Sequence, residues 1–116
     1  MKSRTPWLAY REIIAVHPDG TEQTISLKVG TPFEVSLEEW ACECAMDGYQ
    51  DNLHPIHGVD ARQAIQLVFS LQHQLLGYLA ETGTRFQYAG SREPLALSEL
   101  FPRPPTSSQD TPRGDA

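Results

Sequence analysis

Residues 58–80 read GVDARQAIQLVFSLQHQLLGYLA, and this stretch decides the fold. Asp60 is a good helix N-cap, and Gln63 stands three residues later in capping-box position. Val59 before the cap and Ala64 after it occupy hydrophobic-staple positions. The pattern predicts a helix from Ala61 to Ala80, about 30 Å long at 1.5 Å per residue. Gly83 is its expected stop. The apolar residues between Ala61 and Leu79 cover an arc of about 200°. Gln72 falls near the centre of that arc. A buried amide needs partners. Its expected partners are backbone groups of an irregular strand or of the C-terminal segment, with a pocket as the alternative. On the opposite face, Gln66, Ser70, His73 and Gly77 form a stripe without charge. It reads either as an ordinary polar face or as a contact for a second copy or a partner helix.

Upstream of the helix the period changes to two. Trp7–Val16 is rich in aromatic and β-branched residues and predicts a first strand. His17-Pro18-Asp19-Gly20 is turn chemistry. Thr21–Val29 alternates, with Ile25, Leu27 and Val29 on one face and Lys28 among the polar residues on the other. A hairpin follows from this. Gly30-Thr31-Pro32 predicts a loop to about Leu37. Glu39–Asp47 then reads as a third strand, with Trp40, Cys42, Cys44 and Met46 on one face and Ala41 and Ala45 among the acids on the other. Tyr49–His57 predicts an irregular fourth strand, which Pro55 confines to an edge. After the helix, Thr84–Tyr88 predicts a fifth. Leu95, Leu97, Leu100 and Phe101 are expected to fold back onto the core.

The fold class is therefore α+β: an antiparallel sheet of about four to five strands with one long helix on one face, in the order β-β-β-β-α-β. The helix is expected to cover the apolar sides of the second and third strands. Residues 1–101 read as a single domain and 102–116 as a Pro/Ser-rich mobile tail.

Length and charge narrow the function. A chain of 116 residues suits one domain. Its formal charge of −6 argues against nucleic acid, whose phosphates call for Lys and Arg. Residues 63–80 carry no charge, but their glutamines make an amphipathic helix and not a membrane span. The N-terminus lacks the apolar run of a signal peptide. These features predict a cytoplasmic protein with no membrane contact and with Cys42 and Cys44 reduced.

Val29-Gly30-Thr31-Pro32, Trp40-Ala41-Cys42, Asp47-Gly48 and the run from Gly58 to Leu67 carry a resemblance. They resemble an uncharacterised bacterial domain-of-unknown-function family of small α+β proteins. The match spans about two-thirds of the chain. The resemblance implies the fold and a bacterial origin, and no catalytic residue.

Among features that could carry function, acidity leads. No Lys or Arg occurs between Lys28 and Arg62. In a continuous strand Glu39, Glu43 and Asp47 share one face, a stripe about 27 Å long at ~3.3 Å per residue. With Asp51 they form the expected contact for a basic protein partner; a solvated face is the bland alternative. Cys42, Cys44, His54 and His57 are weak zinc candidates, and buried cysteines acting as small hydrophobes explain them more simply. No metal and no cofactor is expected. Nucleophile-base-orienter geometry and phosphate-binding fingerprints are both missing. The expectation is a non-enzymatic, protein-binding module, possible as an immunity or antitoxin-like protein, with self-association through the helix stripe as the alternative.

Overall fold

The computed structural model describes residues 7–50 and 53–101. The expected tail, 102–116, and Asp51 lie outside the described residues. The chain is α+β, as the patterning predicts, but its strands divide between two antiparallel sheets.

The first hairpin pairs β1 (Trp7–Val16) with β2 (Glu22–Gly30) through the Pro-Asp-Gly turn. Asp19 tightens this turn by accepting from the Thr21 N–H and hydroxyl. Ile25, Leu27 and Val29 are buried on one face, as their alternation requires. The stretch expected as a loop contains β3 (Phe33–Ser36), which turns back into β4 (Glu39–Cys42). Glu38, with φ of 60°, makes the reversal, and Leu37 at the tip is 88% exposed.

The expected third strand is not continuous. It breaks at Glu43 into β4 and β5 (Cys44–Asp47), and the two halves join different sheets. β5 pairs with β2, and the Gly30 N–H reaches the Glu43 carbonyl at 2.7 Å. β4 lies between β3 and β6 (Ile56–Gly58), so only the end of the expected fourth strand forms. Across the joint Cys42, Cys44 and Met46 stay buried and Trp40 packs against the same core, as the alternation requires. Ala41, expected beside the acids on the wet face, is buried as well, at 1% exposure.

Helix α1 spans Ala61–Glu81. The Asp60 carboxylate accepts from the Gln63 N–H at 2.8 Å, and the Gln63 side chain accepts from the Val59 N–H at 2.8 Å. The expected staple does not close, because Val59 is exposed. At the other end the Gly83 N–H bonds the Ala80 carbonyl and the Thr84 N–H bonds the Leu79 carbonyl. This is a Schellman closure, with Gly83 at φ +99°. β7 (Arg85–Tyr88) then pairs with the second half of β1. β8 (Pro94–Leu95) and the short α2 (Leu97–Leu100) complete the fold. The larger sheet runs β5-β2-β1-β7-β8.

The helix covers two apolar clusters. Its first half buries Ala64 and Val68 against Val29, Cys42 and Cys44. Its second half buries Leu76 against Ile13, Ile25, Met46, Phe86 and Leu95. Leu97, Leu100 and Phe101 pack on this second cluster, as expected. No helix among the described residues is long and apolar enough to cross a membrane.

Candidate functional site

The break at Glu43 dismantles the acidic stripe. Glu39 sits in the smaller sheet and meets His57 Nδ1 at 2.9 Å, while Asp47 ends β5 in the larger one and pairs with Lys28 Nζ at 2.7 Å. Lys28 also lies over the Trp7 ring, 5.4 Å from its centroid. Glu39, Glu43 and Asp47 are thus three separate carboxylates, two of them already partnered, and not a ladder along one strand.

The zinc candidates also fall apart. Cys42 is buried with Sγ 3.2 Å from the Gly30 carbonyl, and Cys44 Sγ is 3.9 Å from the His54 carbonyl. Burial pushes both thiols up, Cys44 to about 11. His57 is turned to Glu39. Among the described residues no three His, Cys, Asp or Glu side chains gather closely enough to hold a metal.

The helix stripe is partly covered from within. His73 stacks on Phe101, ring centroids 4.7 Å apart and 10° from parallel. Gln66 and Ser70 remain exposed, and Gly77 is half-buried with open space above it.

Gln72 is 2% exposed, and its amide nitrogen points at the Lys28 carbonyl at 3.0 Å and the Ala45 carbonyl at 3.4 Å. Lys28 and Ala45 are register partners in β2 and β5. The amide therefore finds backbone partners, as a buried amide must, but in regular strands and not in the irregular segments expected.

Gln72 also lines a pocket of about 170 Å³. Its floor is Ala9, Arg11, Leu27 and Val29, and Phe69 stands on the helix side. Leu100 and Phe101 close the rim. Cross-strand partners share a face. Ala9 is opposite Val29, and Arg11 is opposite Leu27, so Ala9 and Arg11 point to the core side of the sheet. Both are nevertheless exposed. The helix passes over β2 at Gln72 and reaches β1 only at Ile13, against Leu76. The first half of β1 is left off its track, and Phe69 is exposed at 43% beside it.

The same half of β1 also has an open side. β7 pairs only with Ile13–Val16. Among the described residues no strand lies against the outer edge of Trp7–Glu12. The hydrogen-bond phase fixes which residues face outward. The Gly30 N–H points to β5, so Lys28, two residues away, does the same, while Leu27 and Val29 point to β1. Arg11 and Ala9 therefore serve the β1–β2 ladder, and the N–H and C=O of Tyr10 face outward. The Tyr10 side chain is 68% exposed.

Arg11 is the charged side chain on the pocket floor. Its guanidinium lies 5.2 Å from the centroid of the Tyr88 ring. The ion pairs among the described residues join Lys28 to Asp47, His57 to Glu39 and Arg92 to Glu22, so Arg11 is in none of them. Nothing in the sequence marks this corner. The alternation of β1 places Ala9 and Arg11 inward, but only the path of the helix leaves them bare.

No protein-family model, curated protein or solved structure matches this chain. The resemblance carried by the Trp-Ala-Cys strand and the capped helix rests on those residues alone.

Proposed function

We propose that this protein is a binding module for other proteins, which takes an extended segment of its partner as an added strand on β1. The observation that carries the reading is the open outer edge of Trp7–Glu12 lying beside a pocket on the same half-strand. Strand addition uses these two parts: main-chain bonds give affinity, and a pocket for alternate side chains gives selectivity. The expected protein-binding role is kept, and its contact moves from the carboxylates to the edge. An immunity or antitoxin-like protein would be one such module.

The test is selection of displayed random peptides on the full chain, followed by binding to a Tyr10→Pro variant. Proline removes an N–H that faces outward, so the β1–β2 ladder is untouched and stability should change by less than about 1 kcal/mol. Selected peptides should lose binding to the folded variant. Peptides that bind both proteins equally, or no enrichment at all, would overturn the edge assignment.

A further inference from the structure

The strand-addition reading leaves the chemistry of the partner open, and the pocket narrows it. A cavity of about 150 Å³ lined by aliphatic and aromatic groups holds one benzene, whereas sites for drug-sized ligands run to roughly 300–1,000 Å³. At about 170 Å³ this pocket has room for one ring and little more. Beside Arg11, its floor and walls carry the apolar side chains of Ala9, Leu27, Val29 and Phe69, together with the amide of Gln72.

Charge sets the second requirement. Arg11 shares the core face with Ala9, two residues along β1, and among the described residues no carboxylate side chain lines the pocket. In a chain of net charge −6, the floor of this pocket presents a cation that makes no ion pair among the described residues. A guanidinium in that setting favours a carboxylate, to which it can donate two parallel hydrogen bonds.

Strand geometry links the two. Residues two apart on a strand face the same way, about 6.6 Å from each other at ~3.3 Å per residue. An added strand follows the same period. The residue that enters beside Ala9 and the residue that meets Arg11 are therefore also two apart. Resting on the strand-addition reading, we infer that the partner segment carries an aromatic side chain and, two residues away on the same face, an acidic one. The ring fills the pocket under Phe69, and the carboxylate meets Arg11.

A blocked heptapeptide, Thr-Glu-Thr-Phe-Thr-Glu-Thr, tests this in either strand direction, because its acids flank the ring symmetrically. Binding is read by fluorescence anisotropy on the full chain, with two altered peptides alongside. Replacing Phe by Ala, or both Glu by Gln, should weaken binding roughly tenfold or more, the scale of one charged hydrogen bond or one buried ring. Arg11→Ala should weaken the parent peptide as much and leave the Gln peptide unchanged; Arg11→Lys should restore part of the loss. If the parent and Gln peptides bind alike, the carboxylate assignment is wrong. If the parent and Ala peptides bind alike, the ring assignment is wrong. If displayed peptides that need the Tyr10 edge show neither feature, the strand-addition reading stands and this inference falls. A chain that sediments as a dimer, becomes a monomer on Tyr10→Pro and ignores every peptide would name a second copy as the occupant and overturn both.

Discussion

At the scale of single residues, the glycines separate backbone need from free space. Gly48 has φ of +92°, and a Cβ there would lie 2.2 Å from the Thr24 carbonyl oxygen. Gly48→Ala should cost roughly 3 kcal/mol, because strain and a backbone clash add. Gly77 is helical, and a Cβ there meets nothing within 4 Å. Gly77→Ala should stabilise by about 0.5–1 kcal/mol. Denaturant melts of the two variants check the pair; a destabilised Gly77→Ala would show that the space is filled. Gln72 makes a different point. Gln72→Leu keeps the volume and loses both donated bonds, so a loss of about 1–2 kcal/mol is expected. Cys44 gives a pH dependence. Its thiol titrates near 11 in the folded chain, against 9.0 for an unperturbed thiol. Above pH 9 the unfolded chain loses this proton first and binds fewer protons than the folded one. Stability therefore falls as pH rises from 9 to 11. Cys44→Ala should flatten that slope in melts taken across the range, and an unchanged slope would place its origin elsewhere.

At the scale of elements, the helix is the part most openly written in the sequence. Asp60, Gln63 and Gly83 act locally, and each makes the bond its position requires. Asp60→Ala should cost about 1 kcal/mol in thermal melts, and Asp60→Asn much less; equal losses would assign the effect to charge and not to capping. The first hairpin was legible for the same reason, since Pro-Asp-Gly and a clean alternation both act over a few residues. The expected third strand failed where locality ends. Glu39–Asp47 alternates without interruption, and no turn residue marks Glu43. The break comes from β2 and β6 claiming opposite halves of the segment, which depends on chain far away. The acidic stripe failed with it. β3 was missed because Gly30-Thr31-Pro32 reads as a breaker, whereas the strand starts directly after it, at Phe33. The wide apolar arc of the helix was real, but Leu67, Phe69 and Tyr78 stand at its exposed margins. One of those margins became a pocket wall.

At the scale of the whole molecule, the net charge of −6 sets a test of sign. A basic partner drawn by acidic groups would associate more slowly as salt rises. The acidic heptapeptide meets an acidic chain and binds through one local cation. Screening over about 10 Å at 0.1 M salt should relieve the long-range repulsion. Its association rate should therefore rise between low and physiological salt in stopped-flow measurements, and a fall would point back to a basic partner. The two clusters beneath the helix have a further consequence. Val68 belongs to one and Leu76 to the other, and Gln72 sits between them on the β2 and β5 carbonyls. The smaller sheet is joined to the larger one by the two-residue link from β2 to β3, by the Glu43 peptide and by the first half of the helix. Such a molecule can open in two stages, because regions with separate cores can unfold below the global free energy. Native-state hydrogen exchange would then divide the amides of one unbroken helix into two classes, with the boundary near Gln72. A single exchange free energy from Ile65 to Leu79 would mean that the amide at the seam locks both cores into one cooperative unit.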